Sequence, residues 1–210
     1  MTLLVGVLTL LVSGGAKGDT AAHCARLTVQ SQAREHMVTG HGRRIVIIGD
    51  SYSVGLGLRR PEASWPSRLD GRVHVFGFSG SGFSTHASAC TEVSYADRAP
   101  YALRNGAALV VVEGGLNDYD QPEPAVRRGF RTLMNALRGR HVVVVGPPDA
   151  PARKAAARRI DAILRQESAR AHVRYIPTTG HKLTYLYDDL HLTPAGHRAF
   201  GDLVARAIKG

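Results

Sequence analysis

Three runs of β-branched residues do most to limit what this chain can fold into. RIVII (44–48), ALVVV (108–112) and HVVVV (141–145) are nearly continuous apolar blocks. A strand with one wet face alternates apolar and polar residues. An unbroken run must be buried on both faces, as in a parallel sheet covered by helices. Two further runs, RVHVF (72–76) and HVRYI (172–176), do alternate, which suits edge strands. The first, third and fourth runs therefore take the centre, and the second and fifth take the edges. The doubly wound strand order 2-1-3-4-5 satisfies this assignment.

Helical spacing fills the intervals. Val126, Phe130, Leu133, Met134 and Leu137 recur on one face after Pro122 and Pro124. Ala156, Ile160, Ile163 and Leu164 do so within the arginine-rich stretch 151–170. Phe200, Leu203, Val204, Ala207 and Ile208 do so at the end, with Thr193 as cap and Pro194 in the first turn. Strands alternating with helices through right-handed crossovers give an α/β fold with three α/β/α layers and a flavodoxin-like, parallel five-stranded sheet. A chain of 210 residues suffices for one such domain, over 44–210. Residues 19–43 read as a linker or N-terminal extension with one short helix.

The N-terminal block LLVGVLTLLV (3–12) is short for a membrane span. It suits the apolar core of a secretory signal over residues 1–18, with Gly14 and Ala16 at the cleavage site. A positive n-region is missing, so the signal is atypical, and the end of a longer anchor is the alternative. Export is the expected destination. In an exported chain the two cysteines, Cys24 and Cys90, are expected to form one disulfide, tying the N-terminal segment to the loop after residue 80.

The net charge is +10. No basic run is interleaved with aromatics and no zinc-finger spacing occurs, so nucleic acid is disfavoured as a partner. Arg127, Arg128, Arg131 and Arg138, then Arg153, Lys154, Arg158, Arg159, Arg165 and Arg170, read as a solvated outer helix face. Docking on an anionic membrane or glycan surface of the cell envelope is the alternative.

Ligands of open α/β sheets bind at the carboxyl ends of the strands. The first strand is followed by Gly49-Asp50-Ser51, the second by GFSGSGFS (77–84), the third by EGGLNDYD (113–120), and the fifth, after a long loop, by DDLHLTPAGH (188–197). These segments gather a nucleophile, an acid, a base and several donors at one end of one sheet. A serine hydroxyl needs a base, and His191 is the natural one; Asp188, three residues earlier, can share a turn with it and hold its tautomer.

These four segments, in this order, resemble the SGNH hydrolase superfamily, the GDSL-type esterases and lipases. Gly49-Asp50-Ser51 matches the first block, Gly80 the second-block glycine, Gly115-Leu116-Asn117-Asp118 the G-x-N-D block, and Asp188-Asp189-Leu190-His191 the D-x-x-H block. Tyr52 stands where the family usually has an aliphatic residue. The resemblance implies a serine esterase without metal or organic cofactor. Ser51 attacks, His191 moves the proton and Asp188 orients it. Oxyanion donors come from Ser51, Gly80 and Asn117. The implied substrate is a small-molecule or envelope ester. An acyltransferase using the same residues and a non-catalytic glycan- or lipid-binding protein are the alternatives.

Other residues have plainer expectations. Ser53 is expected to cap the helix after the first strand, with Asp50 and Asp118 holding loops. Asp189 is the alternative to Asp188. His181 and His197 read as structural, and a metal set of Asp188, Asp189, His191 and His197 is set aside. GFSGS lacks the second glycine of a nucleophile elbow, and GSGFS lacks the third glycine of a dinucleotide fingerprint. Ser79, Ser81 and Ser84 are expected to shape the oxyanion loop. Loops at 56–70, 84–104 and 177–187 are expected to wall the pocket, with Trp65 and Phe83 either lining it or packing.

Overall fold

A computed structural model describes residues 4–209; of residues 4–17 only their place in the first helix is described. The elements are α1 (Leu4–Glu35), β1 (Arg44–Gly49), α2 (Ser51–Val54), β2 (Arg72–Gly77), α3 (Tyr95–Ala102), β3 (Leu109–Glu113), α4 (Glu123–Ala136), β4 (Val142–Val145), α5 (Lys154–Arg170), β5 (Arg174–Ile176) and α6 (Pro194–Lys209). The five strands are parallel in the order β2-β1-β3-β4-β5. The unbroken apolar runs occupy the centre and the alternating ones the edges.

Period-two geometry splits each central strand between two cores. Val46, Ile48, Val110, Val112 and Val144 pack with Tyr95 and Ala99 of α3, Phe130 and Leu133 of α4, and Ile160 and Leu164 of α5. Ile45, Ile47, Val111, Val143 and Val145 pack on the other side with Tyr52, Trp65, and Phe200 and Val204 of α6. Each fully buried aliphatic side chain contributes roughly 1.5–3 kcal/mol. Trp65 and Phe83 are both fully buried packing residues.

Helix ends follow local chemistry. Thr193 caps α6 by accepting the Gly196 N–H at 3.0 Å. Ser94 and Asp97 form a reciprocal capping box at the start of α3, so the loop expected over 84–104 contains a helix. The cap of α2 is Asp50, whose Oδ1 accepts the Tyr52 N–H at 3.0 Å. Ser53, expected as that cap, instead donates to Glu113 Oε2 at 2.6 Å. A carboxylate one residue before the helix reaches its free N–H groups, whereas Ser53 already lies inside the helix.

The N-terminal segment also differs from expectation. Where a linker and one short helix were expected, α1 continues to Glu35. Ser31 donates to the Gly77 carbonyl at 2.6 Å. Arg34, only 1% exposed, donates to Met37 O and Ser64 Oγ. Cys24 and Cys90 form the expected disulfide, with a Cα–Cα distance of 5.6 Å. Such bonds persist in oxidising compartments. The signal or anchor expected over 1–18 lies, apart from Gly18, outside the residues whose side chains are described. Among the described residues no helix is long and apolar enough to cross a membrane.

The arginine-rich helices are knit rather than merely solvated. Arg127, Arg131 and Arg170 converge on Glu167, a carboxylate whose side chain is 2% exposed. Hydrogen bonds from Arg131 foremost, opposed by burial and joined by Arg127 and Arg170, hold its carboxyl down at about 2.

Candidate active site

The β1–α2 turn puts Ser51 at the carboxyl end of β1, an interior strand of the sheet. The β2 and β3 turns bring Gly80 and Asn117 beside it, and the segment before α6 brings His191. These residues line an open cleft of about 360 Å³. Another groove, of about 450 Å³, lies at the opposite end of the sheet between Gly71, Leu109 and Ile208; it contains no serine.

Asp188, His191 and Ser51 form a continuous series. His191 Nδ1 meets Asp188 Oδ2 at 2.6 Å, and His191 Nε2 meets Ser51 Oγ at 3.2 Å. Asp188 Oδ1 also accepts the backbone N–H of Leu190 at 3.0 Å and of His191 at 2.9 Å. Burial pushes the Asp188 carboxyl up, but the His191 ring and these two N–H groups outweigh it and hold it at about 2. An ionised Asp188 keeps the proton on Nδ1 and leaves Nε2 to accept from Ser51. Asp188, not Asp189, faces the ring; Asp189 takes a left-handed φ of 53° and donates its N–H to Leu186 O.

Gly80 lines the cleft, whereas Gly77 and Gly82 do not. Its φ of +84° is a left-handed conformation that a side chain would strain. Asn117 sits in a 3-10 turn, Leu116–Asp118, after β3. Its Nδ2 donates to Ser81 O at 2.9 Å and to Asp50 Oδ2 at 3.2 Å. The amide therefore joins the β1 turn to the Gly80 loop. Asp118 holds that loop from the other side, accepting Phe83 N–H at 3.0 Å and Ser84 N–H at 2.8 Å. Burial raises the Asp118 carboxyl to about 7. Burial likewise raises Asp50 and Glu113, and the charge of Asp50 adds to the rise at Glu113.

Several residues at the site carry no sequence signature. His23 and Leu27 of α1 line the cleft together with Cys90, so the disulfide fixes part of its wall. Arg98 of α3 donates to Gly49 O, Phe76 O, Val93 O and Ser81 Oγ. Arg153, expected on the outer face, lines the cleft and donates to Leu116 O and Asn117 Oδ1, each at 2.9 Å. Ser81 does shape the loop, donating to Phe78 O at 2.8 Å. Ser84 donates to Gln121 Oε1 at 3.1 Å, and Ser79 is buried in the cleft lining. His197 is buried and accepts the Trp65 N–H, while His181 is exposed. Among the described residues no group of three or more His, Cys, Asp or Glu side chains has a metal-holding arrangement.

Fold and cleft together define the class: a flavodoxin-like α/β hydrolase of the SGNH type. Residues 47–199 match the GDSL-like Lipase/Acylhydrolase family, and the chain belongs to that family of ester-hydrolysing enzymes. No curated protein matches it in sequence. Among solved structures it is similar to an inhibitor-bound aryl esterase from M. smegmatis, at 17% identity and a TM-score of 0.69, over 80% of this chain and 99% of that one. It is also similar to a carbohydrate acetylesterase from Sinorhizobium meliloti, at 17% identity and a TM-score of 0.67, again over 80% and 99%. A putative arylesterase from Agrobacterium tumefaciens aligns at 21% identity and a TM-score of 0.65, with the same coverage.

Proposed function

We propose that the chain is an exported serine esterase that cleaves short acyl esters through an acyl-enzyme. The hydrogen-bonded series Asp188–His191–Ser51 carries this reading. Ser51 Oγ attacks the ester carbonyl as its proton passes to His191 Nε2, and the C–O bond forms. The oxygen of the tetrahedral adduct takes hydrogen bonds from the backbone N–H of Ser51 and Gly80 and from Asn117 Nδ2. Such donors are worth about 3 kcal/mol each. For Asn117 this requires one N–H to turn from Ser81 O or Asp50 toward the adduct. The alkoxide then leaves with the proton from Nε2. Water, deprotonated by His191, attacks the acyl carbon and releases the acid.

The size and lining of the cleft favour a small acyl group. About 360 Å³ is bounded by Leu27, Leu56 and Leu190 together with polar Ser88, Tyr119 and Asp120. Likeness to aryl esterases and a carbohydrate acetylesterase supports acetyl or similarly short esters. The disulfide supports export. Intact mass after treatment with a fluorophosphonate tests the assignment of Ser51. The wild type is expected to gain one adduct and Ser51→Ala none; equal labelling would sink it. Nitrophenyl esters of increasing chain length are expected to give falling kcat/KM beyond the shortest acyl groups.

A further inference from the structure

Arg153 belongs to none of the four sequence blocks, yet it grips the amide beside Ser51. Its Nη1 donates to Asn117 Oδ1 and to Leu116 O, both at 2.9 Å. Its guanidinium lies over the Tyr119 ring, 4.2 Å from the centroid. Among the described residues no carboxylate forms an ion pair with it. We infer that Arg153 is a positioning residue for the Asn117 amide, fixing its orientation and strengthening its N–H donors. The inference rests on the reading of Asn117 as an oxyanion donor.

Orientation is enforced from both ends. As placed, Asn117 Oδ1 faces a guanidinium, and Nδ2 faces the Ser81 carbonyl and the Asp50 carboxylate. A flipped amide would set oxygen against two acceptors and nitrogen against a donor. Only one orientation satisfies every group, and it points N–H rather than oxygen toward the turn that carries Ser51. The second effect is electronic. A cation at the amide oxygen draws density from nitrogen, so each N–H donates more strongly to a developing negative charge.

The arginine is itself held still. Its planar group is fixed by two acceptors and an aromatic face, which a lysine ammonium could not reproduce. The chain beside it is anchored too: Arg153 N–H donates to Ala150 O at 2.9 Å, and Ala152 N–H to Asp189 O at 3.0 Å. Arg153 thereby links the Asn117 turn to the segment that carries Asp188 and His191.

A double-mutant cycle tests this. Arg153→Met, Arg153→Lys, Asn117→Ala and the double variant Arg153→Met/Asn117→Ala are assayed with nitrophenyl acetate, with folding checked by urea midpoint. Arg153→Met is expected to lower kcat about tenfold with KM within about threefold, since it weakens an interaction made in the transition state. Arg153→Lys should recover part of that loss. Once Asn117 is alanine, Arg153→Met should cost nothing further. Additive losses would overturn the inference. A rise confined to KM would also overturn it, making Arg153 a contact for the substrate. If Asn117→Ala alone leaves kcat intact, the oxyanion reading of Asn117 fails, and this inference with it. Normal fluorophosphonate labelling of Ser51 in that variant would show the nucleophile assignment standing.

Discussion

The Tyr52 hydroxyl donates to the Leu190 carbonyl at 2.5 Å, joining the residue after Ser51 to the residue before His191. The ring is 1% exposed, with His191, His197 and Phe200 around it at centroid distances of 6.4, 6.2 and 6.1 Å. Burial pushes the phenol far up, so it donates at any working pH. Tyr52 thus ties the turn that carries Ser51 to the segment that carries His191. Tyr52→Phe keeps the ring and removes the bond. It should destabilise the fold by about 1 kcal/mol and lower kcat for nitrophenyl acetate several-fold. An unchanged kcat would leave Tyr52 a packing residue only.

The disulfide joins residues 66 apart in sequence and fixes α1 beside the cleft. Chain-entropy reasoning gives such a cross-link about 4 kcal/mol. The Cys24→Ser/Cys90→Ser double variant should lose a large part of that in urea unfolding. Its KM should also rise, because His23 and Leu27 are no longer clamped at the wall. The same shifts should appear in wild type under strong reductant and be absent from the variant. A midpoint that does not move would mean that Ser31 and Arg34 hold α1 unaided.

Arg98 is half-buried, and its acceptors are carbonyl and hydroxyl oxygens. Burial holds its guanidinium down to about 10, so it remains charged at neutral pH. It ties the carboxyl ends of β1 and β2 to Ser81, the residue after Gly80. Arg98→Met would strand those acceptors, at a cost of about 3 kcal/mol, and loosen the Gly80 loop, with kcat falling at least tenfold. Arg98→Lys should not restore activity, because one ammonium cannot reach acceptors spread over three segments. Full activity in Arg98→Lys would show that only the charge matters.

Strand order was legible because burial on two faces leaves a mark no loop can copy: Ile45–Ile48 and Val142–Val145 are unbroken, while His74 and Arg174 interrupt the edges. Three of the four site blocks were legible because each follows its strand closely, and the fourth, a long loop beyond β5, because Asp188 and His191 stand three residues apart just before the last helix. α1 was not, since two of the residues that pack it, Ser31 and Arg34, are polar and give no apolar periodicity. α3 was hidden behind Pro100, although the Ser94 and Asp97 cap stood in the sequence. Arg153 looks like any other basic residue in an arginine-rich stretch. What separates it from Arg158 or Arg159 is the tertiary position of Asn117, which no local pattern encodes.

Acid sensitivity offers a separate check on the packing behind the site. His197 is 1% exposed, and its Nδ1 accepts the Trp65 N–H at 3.4 Å. Burial, with the charge of His191 adding to it, holds its imidazole down to about 4 from an ordinary 6.5. Between those values the unfolded chain binds a proton that the folded chain refuses, so stability falls as pH drops from 6.5 toward 4. Across the whole window the loss is about 3 kcal/mol. Asp118, raised to about 7 by burial, has the opposite sign: folding retains its proton there, so acid favours the folded state through that group. The comparison of variants, not the raw wild-type slope, therefore isolates His197. His197→Asn offers an oxygen to Trp65 and does not titrate. Urea unfolding at pH 7 and pH 5 should show the variant losing about 2 kcal/mol less than wild type over that interval. Parallel losses in the two proteins would place the acid-sensitive group elsewhere, with His74, held down to about 4 by its burial and nearby arginines, next in line.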